Sequence, residues 1–501
     1  MPKSRSKPAQ KSSKSKKKPV AGTARQVALQ ALRSVLAGSY ADAALDRYLR
    51  QASHLSGQDR GLVTELVYGC TRQRRSLDAI IDCLAKKPAQ EQAPELRAVL
   101  HLGLYQIGYL TQIPNGIAVH ETVELAKLSG LKGLSGLVNG ILRNYVRRLE
   151  SSDQDGPWCF PLPEDPTERL GTLHSYPNWI VQSWCESLGL DAAEQLCQWF
   201  NRVPALDLRV NQSRSDRPTV LKALQETGAD AEAVDKLPQG IRVRKLGKSE
   251  AAGRKVMELP GFKEGWWAVQ DASAQLVALL LDPQPDEIIV DACAAPGGKT
   301  CHIADLMGDR GCIIALDRTL SRLKKLRQNV QRFQLDSVRS LAIDACEWRD
   351  YAKVTEDYPE ELQEIFPDGL PDQCDRLLLD VPCSGLGTLH RRADARWRQT
   401  PDNIAEIVKL QRQILDATAL WVRAGGTLVY ATCTINPPEN LELINAFLAE
   451  NPQWAIAPPT ADSIPAQFAK PDGTIEVWPH QYDMDGFFMV KMVKSQPPDA
   501  S

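Results

Sequence analysis

Residues 287–300 read "EIIVDACAAPGGKT", and the fold follows from how this stretch is parsed. Ile288, Ile289 and Val290 are consecutive apolar residues with no polar alternation, so both faces of the strand they form must be covered. The run stops on Asp291, passes through small residues to Gly297-Gly298, and enters a helical pattern at once. Small residues and paired glycines let a backbone approach a ligand closely at a helix N-terminus. The rest of the C-terminal half repeats the alternation. "CIIALD", "VRSLAID", "DRLLLDVPC" and "GTLVYATCT" read as strands, and "KTCHIADLMG", "SRLKKLRQNVQRF" and "NIAEIVKLQRQILDATALWV" as the helices between them. That order predicts a parallel sheet covered on both sides. The close, "GTIEVWPHQYDMDGFFMVKMV", reads as two strands joined by "DMDG", the last of them antiparallel.

Open parallel sheets bind ligands beyond the carboxyl ends of their strands. Four predicted strand ends carry acids: Asp291, Asp317, Asp344 and Asp380. One such acid reads equally well as a helix cap; the set of four points to a ligand. Asp317 stands about 20 residues past the glycines, where an acid would hold a ribose diol. The glycine pattern is neither GxGxxG nor GxxxxGK[ST], which disfavours dinucleotide and triphosphate binding. The nucleotide-like cofactor left for such a sheet is S-adenosylmethionine. Two cysteines, Cys383 in "LLLDVPCSGLG" and Cys433 in "YATCTINPPEN", also stand at strand ends on the acid-lined side.

Working outward, five segments are expected. Residues 1–20 hold eight Lys or Arg and no acid, which predicts a disordered basic tail. A tether to nucleic-acid phosphates and a plain solvated tail are both open for it. Residues 21–150 place Leu, Val and Ile at three- and four-residue intervals and read as all helix. Their arginines, Arg72, Arg74, Arg75, Arg143, Arg147 and Arg148, suit a phosphate backbone or a solvated face. The Pro-, Ser- and Asp-rich linker 151–165 follows. Residues 166–265 read as a small α/β module that positions RNA, with Arg209 and Asn211 in "LRVN". Residues 266–493 form the α/β domain, and 494–501 a second disordered tail.

The composition, 43% hydrophobic and 24% charged with a net charge of −2, is that of a globular protein. No apolar run reaches the roughly 18 residues needed to span a bilayer, and the polar N-terminus does not resemble a secretory signal. Twelve cysteines lack zinc-ligand spacing, so no metal is expected. Reduced thiols and a cytoplasmic monomer are the simplest expectation. Burial accounts for most of these cysteines, including Cys70, Cys197, Cys301 and Cys374.

"DACAAPGGKT", "LLLDVPCSGLGTLHRRADARW", "YATCTINPPEN" and "DGFF" resemble motifs of the NOL/NOP/Sun family of RNA cytosine-5 methyltransferases. "QDRGLVTELVYGCTRQR" and "IPNGIAVHETVELAK" resemble the NusB-like RNA-binding domain. The combination is similar to the bacterial members that act on 16S rRNA, over residues 21 to about 493. The resemblance implies an all-α NusB-like domain, the small α/β module, and a Rossmann-like domain dependent on S-adenosylmethionine. It places the cofactor loop on Cys293, Ala294, Ala295, Pro296, Gly297, Gly298 and Lys299. The ribose acid falls on Asp317, the adenine-side acid on Asp344, the motif-four acid on Asp380, the nucleophile on Cys433 and the second cysteine on Cys383. The implied partner is rRNA, with tRNA as the alternative substrate and a non-catalytic RNA-binding factor as the alternative from another class. Three positions depart from the family pattern: Ala393 where Pro is usual, Thr434 where Ser is usual, and Pro438 where an acid is usual.

The chemistry explains the residue types. Carbon 5 of cytosine attacks a methyl donor only after a thiolate adds at carbon 6, which is covalent catalysis. Cysteine suits because its thiolate both attacks and leaves. Asp380, kept protonated by an apolar surround, would stabilise the adduct at ring nitrogen 3. Either Cys383 or water could take the carbon-5 proton. Trp266, Trp267, Trp397 and Tyr430 are candidate stacking platforms for the base, and Arg391, Arg392, Arg396 and Arg398 candidate phosphate contacts.

Overall fold

The structure, a computed structural model, describes residues 22–152, 156–246, 256–347 and 372–496. The basic stretch 1–20 and most of the C-terminal tail lie outside the described residues. Among the described residues no helix is long and apolar enough to cross a membrane.

The N-terminal part is helical. Helices Ala24–Leu36, Ala41–Gln51, Gly57–Arg72, Arg74–Leu84, Pro94–Tyr109, Asn115–Leu128 and Ser135–Glu150 pack on one apolar core. Local chemistry starts them well. Thr23 and Gln26 form a capping box, as do Ser56 and Asp59, and Pro94 takes a first-turn position where no N–H is missed. Gln73 alone separates the helices Gly57–Arg72 and Arg74–Leu84.

Beyond the linker, three helices, Pro166–His174, Asn178–Leu188 and Leu190–Phe200, carry the tryptophans. They build a core of their own with Leu386, Leu389 and Ile435 of the catalytic loops. A small antiparallel sheet follows. Its strands are β1 (Leu206–Val210), β2 (Asp230–Ala233), β3 (Gly240–Lys245) and β4 (Trp267–Val269), in the order β2-β3-β1-β4. The fourth strand lies past 265, where the sequence pattern places the end of this module. Trp267 is a core residue there, with its indole N–H on the carbonyl of Pro260.

The C-terminal sheet contains β5 (Ile288–Asp291), β6 (Cys312–Leu316), β7 (Val338–Leu341), β8 (Cys374–Asp380), β9 (Val422–Thr432), β10 (Trp454–Ile456), β11 (Ile475–Val477) and β12 (Phe487–Lys494). Its order is β10-β12-β9-β8-β5-β6-β7, with β11 beside β12. β5 to β9 run parallel, and β12 is antiparallel to β9. The chain reverses direction across the sheet between β5 and β8, so the crevice at their carboxyl ends is the expected ligand site. Two apolar clusters, one per face, fill the space between sheet and helices.

Arg209 and Asn211 correct an expectation. Both are buried, Arg209 between two modules and Asn211 within its own, where its Nδ2 donates to the carbonyl of Gly265 at 3.2 Å. Arg209 Nη1 lies 3.2 Å from Asp305 Oδ2, and its Nε donates to Gln270 at 2.8 Å. Asp305 also accepts from Gln212 N, Ser213 N and Gln239 Nε2. Asp305 ends the helix that starts at the glycine turn, so this buried pair ties the small module to the cofactor side of the sheet. Removing one partner of such a pair strands a charge. Arg209→Met is expected to destabilise the protein by about 3–5 kcal/mol, read as a fall in the urea midpoint.

Candidate active site

At the carboxyl ends of β5, β6, β8 and β9 lies a cavity of about 310 Å³. Cys293, Ala295, Pro296, Asp317, Asp344, Asp380, Cys383 and Cys433 line it. Ala294 packs into the core behind the loop. Gly297 and Gly298 form the turn into the helix Gly298–Leu306. At Gly297 (φ +95°) a Cβ would meet the Leu326 side chain at 2.9 Å, so only glycine lets the loop close.

The acids do different things. Asp317 is buried, accepts from Thr319 N at 2.8 Å, and lies 3.0 Å from Arg322 Nη1. Arg322 also donates to the carbonyl of Ala295 at 2.7 Å, bracing the cofactor loop against the acid. Asp291 turns inward instead of lining the cavity. Thr300 Oγ1 donates to it at 2.7 Å, and its other oxygen has no protein partner. Burial, with the charge of Asp380 adding to it, pushes the Asp291 carboxyl up to about 7. A raised folded pKa means stability that is complete below the unfolded carboxyl value and drains as pH rises through 7. Asp291→Asn is therefore expected to flatten stability between about pH 4 and 7, by at most roughly 4 kcal/mol, in paired urea titrations.

Lys299 reaches the end of β8 and is not among the residues that line the cavity. Its ammonium lies 2.6 Å from Asp380 Oδ2 and 5.0 Å from the centre of the Phe487 ring. Burial works against that charge, and Asp380 more than offsets it, holding the ammonium above its usual value. This alters the role expected of Asp380. Asp380 is the counter-ion of Lys299. The apolar run before Asp380 does not isolate it, because lysine reaches the strand end from the neighbouring helix.

The two thiols meet: Cys383 Sγ and Cys433 Sγ are 3.2 Å apart. The hydrogen bond from Cys383 lowers the Cys433 thiol, against burial and the charge of Asp380, with Arg392 and Lys299 assisting. The same bond, together with burial, pushes Cys383 well up. Cys433 is thus the thiol of the pair whose ionisation is eased.

What holds Cys433 in place is the tail "TINPPEN". Asn440 Oδ1 accepts from Thr432 Oγ1 at 2.6 Å, and Asn440 Nδ2 donates to the carbonyl of Thr434 at 3.1 Å. Glu439, fully buried, accepts from Ser384 N at 2.8 Å and from Ser384 Oγ at 2.5 Å. Gly387 N donates to the carbonyl of Cys433 at 3.1 Å, and Gly486 N to the carbonyl of Gly387 at 2.7 Å. "DGFF" therefore supports the thiol loops by backbone contact. Two of the three departures from the family pattern leave these bonds intact. Pro438 is exposed, and the Thr434 hydroxyl still bonds Ser384 Oγ at 2.9 Å.

Most residues proposed for RNA contact turn out to be structural. Trp267 and Tyr430 are core, and Tyr430 donates to the carbonyl of Glu439. Trp266 packs in the small module, and Trp397 donates to the carbonyl of Thr71 in the helical domain. Arg72 donates to the carbonyl of His390, Arg398 to that of Gly38, and Arg75 to that of Tyr176. Arg396 is fully buried over the Tyr176 ring, and Arg391 pairs with Asp271 and Asp485. Residues 391–398 thus dock the helical domain onto the catalytic one. Of the four arginines in that stretch, Arg392 alone lines the cavity with the thiols.

The cavity suits a nucleoside with a charged methyl donor: an acid beside a glycine turn, a further acid at Asp344, and an apolar wall of Ile343, Leu410 and Ile414. A methyl-transferring enzyme is the class that this fold and these thiols define. The "16S rRNA methyltransferase RsmB/F" family matches residues 278–493, the "NusB family" residues 22–147, and a ferredoxin-like domain of RsmF/B-like methyltransferases residues 176–248. A Synechocystis protein described as "Probable ribosomal RNA small subunit methyltransferase B" is 44% identical over 94% of this chain and 100% of its own. "Ribosomal RNA small subunit methyltransferase B" of Vibrio vulnificus is 34% identical over 87% and 92%. The crystal structure of PH0851 shares the fold over 95% of this chain and 100% of its own, with a TM-score of 0.73 at 24% identity. The chain belongs to the RsmB/F family of 16S rRNA methyltransferases.

Proposed function

We propose that the protein methylates carbon 5 of a cytosine in 16S rRNA through a covalent adduct on Cys433. The observation that carries this reading is the thiol pair at the mouth of a nucleoside-sized cavity, one thiol lowered by the other. The names of the relatives supply the small-subunit rRNA. S-adenosylmethionine, when bound, supplies the sulfonium methyl group.

The chain's own residues do the rest. Asp317, Asp344 and the turn at Gly297-Gly298 hold the nucleoside part of the cofactor. Cys433 adds to carbon 6, and the ring electrons move toward carbon 5. Lys299, fixed by Asp380, places a positive charge beside the thiol and the incoming base. Cys383 stands next to the same sulfur as a neutral thiol, suited to managing the proton at adduct formation and release. Arg392, at the cavity rim, faces the phosphates of the target nucleotide. A chemistry that needs both thiols reduced belongs in the cytoplasm.

The test is methyl transfer from tritiated S-adenosylmethionine to unmodified 16S rRNA, followed by bisulfite mapping. One protected cytosine is expected. Transfer to tRNA alone would move the substrate assignment. The absence of S-adenosylmethionine binding by calorimetry would sink the enzymatic reading.

A further inference from the structure

Glu439 has surroundings unlike those of any ordinary loop acid. Its carboxyl is fully buried, and among the described residues no Lys or Arg pairs with it. Side-chain and backbone donors surround it. Ser384 N and Ser384 Oγ reach it at 2.8 and 2.5 Å, Asn436 Nδ2 at 3.1 Å, Gln411 Nε2 at 3.2 Å and Thr434 Oγ1 at 3.4 Å. An ionised carboxylate only accepts, so a ring of donors is the environment that keeps it charged without a cation.

The origin of these donors matters. Ser384 follows Cys383 and Thr434 follows Cys433, so one carboxylate bolts together the two loops that carry the thiols. Arg392 and Lys299 favour ionisation of Cys433 from one side of the pair, and Glu439 acts from the other. The Glu439 carboxylate lies 2.5 and 2.8 Å from Ser384, next to Cys383, and 3.4 Å from the Thr434 hydroxyl, next to Cys433, so its negative charge is nearer the Cys383 loop and opposes ionisation there.

We propose that Glu439 is a positioning residue: its bonds to Ser384 and Thr434 hold the thiols in contact, and its charge makes Cys383 the proton donor and Cys433 the acceptor. The inference rests on the reading of Cys433 as the attacking thiol, but its test reads the thiols directly. Neutral Glu439→Gln removes the charge and sets an amide N–H against donors; Glu439→Asp keeps the charge.

Limited alkylation with iodoacetamide, followed by peptide mass spectrometry across a pH series, reports each thiol separately. In the wild type, Cys433 is expected to react at least about tenfold faster than Cys383 at neutral pH. Glu439→Gln should shrink that ratio about tenfold, and Glu439→Asp should largely restore it. A role confined to stability would change the melting temperature of the variants and leave the ratio alone. An unchanged ratio in folded Glu439→Gln overturns the inference, as does a ratio in Glu439→Asp that collapses like that of Gln. If Glu439→Gln does not fold, the wild type and Glu439→Asp decide: equal labelling of both thiols in the wild type overturns it. Labelling in the expected order with no methyl transfer would instead strike at the proposed function and leave this assignment standing.

Discussion

Cys383→Ala protein, incubated with 16S rRNA and S-adenosylmethionine, is expected to retain RNA through denaturing electrophoresis, and Cys433→Ala protein is not. The asymmetry follows from the pair. Cys433 is the thiol lowered by its neighbour, so it attacks; without it no adduct forms and transfer falls by a factor on the order of 10⁴ or more. Cys383 Sγ lies 3.2 Å from the Cys433 sulfur, and its thiol is held well above the usual range. Elimination must take the proton from carbon 5 as the bond from carbon 6 to the Cys433 sulfur breaks, and alanine there removes the thiol placed to relay that proton to the departing sulfur. Addition can still occur, but release is starved, and the adduct accumulates. An adduct on Cys433→Ala together with neither adduct nor transfer by Cys383→Ala would exchange the two roles. Neither variant forming or losing an adduct would mean that the thiols act without covalent attachment.

The sequence exposes the parts of this site that lie on single strands. Strand ends at Asp291, Asp317 and Asp380, and the thiols beside them, follow from apolar runs meeting polar residues. The antiparallel last strand is legible for the same reason. What stays hidden is every interaction between segments far apart in the chain. Lys299 sits in the cofactor-loop motif, yet it serves Asp380, 81 positions on. Arg209 looks like a strand arginine offered to phosphate, and its partner Asp305 lies 96 positions away. Glu439 reads as the tail of a motif with one unusual proline. The cluster of Thr434, Asn436 and Asn440 around it was the available hint, since so many short polar side chains beside a buried strand end need an acceptor. Arginines mislead most, because in one dimension a docking arginine and an RNA-facing one are identical.

The second large effect is expected from a methyl group. Gly387→Ala would place its Cβ 1.9 Å from the carbonyl oxygen of Gly486 and 2.9 Å from that of Cys433. Both obstacles are backbone, so neither can swing aside as a long side chain could. The loop must back away, and the bonds Gly486 N to Gly387 O and Gly387 N to Cys433 O must lengthen or break. Overpacking of this kind costs about 1–3 kcal/mol or more. A displacement of about 1 Å at a reacting group costs roughly 10²-fold in rate. Gly387→Ala should therefore lose about two orders of magnitude in methyl transfer, with a lowered urea midpoint. Gly385→Ala, two positions away, is the control. Its φ of +72° makes alanine strained, at about 1–2 kcal/mol, but no atom lies closer than 3.7 Å to the added carbon. It should cost stability and keep activity within about tenfold, equivalent to 1.4 kcal/mol in the barrier. If the two variants lose activity equally, loop strain rather than the Gly387–Gly486 contact governs where Cys433 stands. If Gly387→Ala alone fails, the glycine of "DGFF" belongs to the device that aims the thiol, although it carries no side chain of its own.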